Sequence, residues 1–142
     1  MGRILSLSAT HYRWLAWFWT AGIVAACSIP AATLSPIGPA LSADKAIHLG
    51  LFAIFGVLWM GALCPPASNP SRTCLRHHGL RLLGWGGLFA VGTEVYQHVL
   101  PLQRVADPYD ALANGSGLVL SVVAYALFAR YSETSDSSSR AG

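Results

Sequence analysis

Nine polar residues in an otherwise apolar chain have the types and spacing for chemistry: Asp44, Lys45, His48, Glu94, Gln97, Arg104, Asp107, Asp110 and Asn114. On a helix, residues three and four apart share a face, so Asp44 lies with His48, and Glu94 with Gln97 and His98. Asp107, Asp110, Asn114, Gly117 and Ser121 step by three and four along one further stripe. A carboxylate one turn from a histidine orients the imidazole and raises its basicity. Lys45 and Arg104 can meet a phosphate, and the carboxylates or Asn114 a sugar or peptide. His48 and Glu94 are the candidate base and acid, or Glu94, Asp107 and Asp110 can hold a divalent cation against a phosphate. No metal motif of fixed spacing, activated nucleophile or phosphate-cradling glycine loop is present, so no metal ligand and no cofactor is assigned.

Several of these residues also have plainer roles. Asp107 suits a helix N-cap, with Pro108 at the first helical position and Asp110 in the first turn, where the helix dipole favours an anion. Single histidines on apolar helices are commonly hydrogen-bonded packing residues. Asn114, Gly117 and Ser121 read as helix-packing positions, because small residues let helices approach closely in lipid. Capping does not account for Glu94, which lies about two turns inside an apolar run. Facing lipid near the bilayer centre, it would cost on the order of 3 kcal/mol. It is therefore expected to face protein, coupled to Arg104, Lys45 or a histidine.

The elements that must position these residues follow from composition. Of 142 residues, 54% are hydrophobic and only 11% charged, and the mean hydropathy is +0.48. That is too apolar for an ordinary soluble domain of this length. A helix needs roughly 20 apolar residues to cross the hydrocarbon core, and four runs approach this: 14–29, 46–64, 82–100 and 111–129. The first is flanked by the aromatic, basic stretch "HYRWLAWFWT", which suits an interfacial anchor. Pro30, Pro36 and Pro39 follow the first run, and Pro65, Pro66 and Pro70 follow the second. The expected fold is an all-α, polytopic membrane protein, a bundle of four transmembrane helices.

Basic residues orient the bundle. Arg3, Arg13, Arg72, Arg76, Arg81, Arg130 and Arg140 fall on one side, against Lys45 and Arg104 on the other. The positive-inside rule then places both termini in the cytoplasm and loops 30–45 and 101–110 outside. The net charge of +3 is a topology signal, and nothing suggests nucleic-acid binding. His77 and His78 read as part of a solvated basic patch facing anionic head groups.

"VAAC", ending at Cys27, can also pass for a lipoprotein signal, and a plain signal peptide is conceivable. Three more spans follow, so an uncleaved first helix fits better. Cys27 falls near the outer face and Cys64 and Cys74 near the inner one, so no disulfide can cross the membrane, and free thiols packed as small apolar residues are expected. The final "SETSDSSSRAG" is small, polar and aperiodic, which reads as a disordered tail. The domain plan is a short cytoplasmic N-terminus at 1–11, a four-helix membrane domain at 12–131 and a disordered cytoplasmic tail at 132–142. The functional residues then converge just below the outer surface, from the start of span two, the end of span three and the start of span four.

"DKAIH" (Asp44, Lys45, His48), "EVYQHVLPLQR" (Glu94, Gln97, Pro101, Arg104) and "DPYDALANGSG" (Asp107, Asp110, Asn114, Gly117) together resemble the VanZ-like family of small bacterial membrane proteins. The family pattern is Asp-Lys-x-x-His opening one helix and Glu-x-x-Gln ending the next. A Pro-x-x-Arg turn and Asp-x-x-Asp-x-x-x-Asn-x-x-Gly complete it. The resemblance covers roughly 12–131, and "CSIP" also looks like the exit of span one in many members. His98 is an additional ionisable group. The resemblance implies a multi-pass protein of the bacterial inner membrane in a family named for a teicoplanin-resistance accessory protein.

Three functions are compatible with these residues. The first is a binding or protective site for a cell-envelope head group, lipid-linked or peptidoglycan-related, as in glycopeptide resistance. The second is a membrane-embedded enzyme acting on a lipid-linked intermediate. The third is a structural or assembly role in which the polar network fixes helix register. The partners expected are the lipid bilayer and an envelope lipid or peptidoglycan precursor.

Overall fold

The computed structural model describes residues 7–30, 41–100 and 107–140. Four α-helices make up the fold: α1 (Ala9–Cys27), α2 (Leu41–Leu63), α3 (Arg72–Val99) and α4 (Pro108–Arg140), and the described residues include no strand. Local chemistry starts and stops them. The Ser8 and Ser71 hydroxyls accept from the backbone N–H groups of His11 at 3.4 Å and Cys74 at 3.2 Å, capping α1 and α3. Asp107 Oδ1 accepts from the Tyr109 N–H at 2.9 Å, and Pro108 opens α4 as expected for a residue whose missing N–H is not needed there.

Between α2 and α3 the tandem prolines, Pro65 and Pro66, cannot continue a helix. A single 3₁₀ turn, Pro66–Ser68, leads to Asn69 at φ 45°, a left-handed conformation that asparagine tolerates better than most residues. The reversal is tight enough to join Cys64 and Cys74 in a disulfide, with Cα atoms 6.5 Å apart. This corrects the expectation of free thiols. That expectation rested on pairing across the membrane and on thiols as small packing residues, whereas the turn sets the two inner sulfurs side by side. Cys27 lies apart from them, buried in the apolar core.

Two helix boundaries differ from the expected spans. α3 begins at Arg72, ten residues before its apolar run, because the Ser71 cap starts it there and the arginines and leucines of 72–81 carry it through poorer helix formers as a basic, polar first section. α4 continues to Arg140, where a disordered tail was expected. Extending an existing helix adds one hydrogen bond per residue fixed and needs no new nucleus, so a weakly helical sequence can follow a strong one.

Side-chain contacts fix the directions. Along α2 and α4, Lys45 meets Asp107 and Asp110, His48 meets Asn114, and the Cys64 carbonyl meets Tyr125. Numbers rise together, so these helices are parallel. α3 runs against α4, with Glu94 at Asn114 and Gly86 against Leu118. α1 runs against α2, with the Tyr12 ring against Gly61 and the Trp19 indole donating to the Leu51 carbonyl at 2.9 Å; the Trp59 indole also donates to Thr20 Oγ1 at 3.3 Å. Close approach of α2 and α4 depends on Gly117, where a Cβ would fall on the Leu49 carbonyl and the Ala53 amide. The "GWGG" segment contributes less packing than its glycines suggest: Gly86 abuts Leu118, but Gly84 and Gly87 have open space beside them.

The interior centres on Phe52, Phe55 and Phe89, with ring centroids 5.4–5.7 Å apart. The exterior is also apolar: Trp14, Phe18, Trp85, Leu88, Leu120 and Phe128 are exposed. Two segments, Asp44–Leu63 and Pro108–Tyr131, are long and apolar enough to cross a membrane, and only 39% and 28% of their most apolar windows is buried inside the chain. The remaining apolar surface needs a non-aqueous neighbour far more than that of an ordinary soluble domain.

Candidate functional site

The parallel register of α2 and α4 places their first turns side by side, and the last turns of antiparallel α3 complete the group. The site forms a gradient from exposed to buried. At its rim, the Lys45 ammonium bridges two carboxylates, Asp107 Oδ2 at 2.6 Å and Asp110 Oδ1 at 2.8 Å. The Tyr109 ring lies 5.7 Å from the same nitrogen, in range for a cation–π contact. The hydrogen bond from Lys45, together with the Tyr109 backbone N–H, holds the Asp107 carboxyl below the usual carboxylate range. Asp44 is also exposed, with its side chain 55% accessible.

One turn deeper, the chain of contacts becomes buried. His48 Nδ1 lies 3.1 Å from Asn114 Oδ1, and the Asn114 amide nitrogen donates to Glu94 Oε1 over a long 3.4 Å. With the amide nitrogen turned toward Glu94, the Asn114 carbonyl faces the imidazole, which makes His48 Nδ1 the donor. His48 Nε2 faces Asp44 Oδ1 and Asp110 Oδ2, each at 3.9 Å, outside hydrogen-bond range. Glu94 Oε1 is also 3.9 Å from His48 Nδ1. Asn114 has no solvent exposure, and His48, Glu94, Gln97 and Asp110 are each less than one-tenth exposed.

Gln97 is the exception to this satisfaction. It is 4% exposed, shares the Glu94 face of α3, and its amide nitrogen has no hydrogen-bond partner among the described residues. A buried donor left unmade costs about 1–3 kcal/mol, so this nitrogen stands out in a cluster that otherwise pairs its groups.

Asp44, Lys45, His48, Glu94, Asp107, Asp110 and Asn114 thus come together as the sequence pattern anticipated. Arg104 lies outside the described residues. Glu94 was expected to couple to Arg104, Lys45 or a histidine. It lies 3.9 Å from His48 and meets Asn114, while Lys45, at the mouth of α2 and level with the first turn of α4, is taken by Asp107 and Asp110. Asn114 also corrects its reading as a packing residue, since it links His48 to Glu94 across three helices. Its four-residue step from Asp110 and its paired donor and acceptor were the available signals. Tyr109 was missed, and only its place beside Asp-Pro could have indicated it. His98 is exposed in the last turn of α3.

The cation set differs from the one expected too. Asp44, His48 and Asp110 have ligand atoms within 4.8 Å of one another, while Glu94 and Asp107 fall outside that set. Lys45 already occupies Asp110 Oδ1, so a divalent ion would compete with an ammonium held at short distance. No protein-family model, curated protein or solved structure matches the chain.

Proposed function

We propose that this chain is a four-span protein of the bacterial inner membrane, VanZ-like in its motifs, with both termini in the cytoplasm. Its polar cluster near the outer face binds a cell-envelope head group, lipid-linked or peptidoglycan-related. The observation that carries this reading is the buried Gln97 amide nitrogen, a donor with no acceptor among the described residues inside an otherwise paired cluster. A phosphate, carbonyl or sugar oxygen is the acceptor such a donor needs. The apolar outer faces of the helices suit a lipid partner. A role in teicoplanin sensitivity is the corresponding cellular expectation.

Gln97→Leu tests the reading, because the two roles of Gln97 have opposite signs. Leucine, similar in size and apolar, relieves the unmade donor and should raise thermal stability in detergent. It should also lower retention of co-purifying phosphate- or sugar-bearing lipid in native mass spectrometry and weaken complementation of a deletion strain challenged with envelope-directed agents. Unchanged retention and full complementation would remove the pocket from function.

The enzyme reading is favoured by a separate observation, the convergence of Asp44, His48 and Asp110, with His48 and Glu94 as base and acid. It predicts turnover of a bound lipid intermediate that His48→Ala abolishes at normal membrane level. A purely structural role predicts instead that folded level and phenotype fall in parallel in His48→Ala and Asp110→Asn.

A further inference from the structure

At the opposite end of α2 and α4 from the polar pocket, Cys64, Cys74 and His78 bring two sulfurs and an imidazole nitrogen within 4.8 Å of one another. We propose that, once the Cys64–Cys74 disulfide is reduced, these three residues bind a thiophilic divalent ion of the zinc class. Bond lengths of about 2.3 Å to sulfur and about 2.0 Å to nitrogen separate the ligands of one tetrahedral ion by roughly 3.5–3.8 Å. The observed cluster encloses that geometry with little rearrangement.

The backbone around all three ligands is anchored. Cys64 follows directly on α2, its N–H bonded to the Met60 carbonyl at 2.8 Å, and its own carbonyl accepts from the Tyr125 hydroxyl at 2.6 Å. Cys74 and His78 lie one turn apart on α3 and so share a face. The Cys74 N–H is held by the Ser71 cap. The His77 ring packs edge-on to His78 with centroids 5.2 Å apart, limiting how the imidazole can turn. His78 also lines a cavity of about 470 Å³ with Trp59, Leu63 and Trp85, from which water or a soft ligand can complete the coordination shell.

The chemistry balances with one co-reactant. A thiol reductant delivers two electrons and two protons to the S–S bond and leaves as its own disulfide. The incoming ion then displaces both thiol protons and takes the sulfurs as thiolates. The arginine count places this end of the bundle in the cytoplasm, where thiols are kept reduced. That compartment argument rests on the topology proposed above; the ligand geometry does not.

The test uses the full chain in detergent, reduced until a thiol titration accounts for every cysteine, then titrated with Co²⁺ and afterwards Zn²⁺. The expected result is a thiolate-to-cobalt charge-transfer band that saturates at one ion per chain, disappears when Zn²⁺ is added and is absent before reduction. Cys74→Ser should lose the band, and His78→Ala should weaken binding by about tenfold or more. If Cys74→Ser loses its helical circular dichroism, the half-buried His78 variant decides alone. A fully reduced chain without a saturable band, or a His78→Ala variant with undiminished affinity, would overturn the site. Labelling of position 74 from outside the cell would overturn the topology and leave this titration as it stands.

Discussion

The two ends of the α2–α4 pair are held by different chemistry. One end is joined by charge and hydrogen bonds: Lys45 to Asp107 and Asp110, and His48 through Asn114 to Glu94. At the other, Tyr125 donates to the Cys64 carbonyl, and the disulfide ties the end of α2 to the start of α3. Between them Gly117 brings the backbones together. Among the described residues, the covalent end leaves no buried polar side chain unpaired, whereas the polar end contains the Gln97 nitrogen without a hydrogen-bond partner. Three carboxylates there also face one imidazole at 3.9 Å.

The largest effect should come from the hinge of this comparison, where both ends depend on one close approach. Gly117→Val places a side chain on the Leu49 carbonyl and should destabilise the bundle by about 3 kcal/mol or more. Thermal unfolding in detergent, followed by circular dichroism, measures it, and a near-normal melting temperature would mean that the helices do not meet there.

Reducing the disulfide is expected to cost about 3 kcal/mol, since the bond closes a loop spanning a sequence separation of 10. The loss should be read with metal chelated, because a bound ion would restore part of it. It should leave acid sensitivity of the polar end unchanged; a reductant-dependent shift there would show that the two ends are coupled.

Asn114→Leu removes the link between His48 and Glu94 and leaves both facing an apolar side chain, a loss of about 2 kcal/mol. Combining it with Glu94→Gln tests the chain directly. Strict additivity of the two changes would mean that Asn114 and Glu94 do not interact.

The smallest effect is the pH dependence of the rim. The Asp107 carboxyl is held below its ordinary value of 3.8, first by the Lys45 hydrogen bond and then by the Tyr109 N–H. Its contribution to stability is therefore fully present above that value and is lost as pH falls through the lower folded value. Lys45→Met should remove most of that acid-side slope. Acid titration of both proteins by circular dichroism compares them, and an identical slope would place the acid sensitivity elsewhere.

Sequence by itself determined that the chain is helical, that Asp107 caps the last helix, where the prolines break the chain and which polar residues share a face. Those features are local: Asp107 acts within one turn, tandem prolines act on their neighbours, and the three- and four-residue steps of Asp107, Asp110 and Asn114 follow from the helical repeat. The tertiary structure decided how those faces meet. Lys45 pairs with Asp107 and Asp110 because parallel α2 and α4 bring their first turns level, whereas Glu94, entering from antiparallel α3, meets Asn114 and lies by His48 one turn deeper. Residue spacing within one helix carries no information about that relative depth. Cys64 and Cys74 teach the same lesson at the other end: their sequence placed both near the inner face without pairing them, and the reversal at Pro66–Ser68 and Asn69 made them partners.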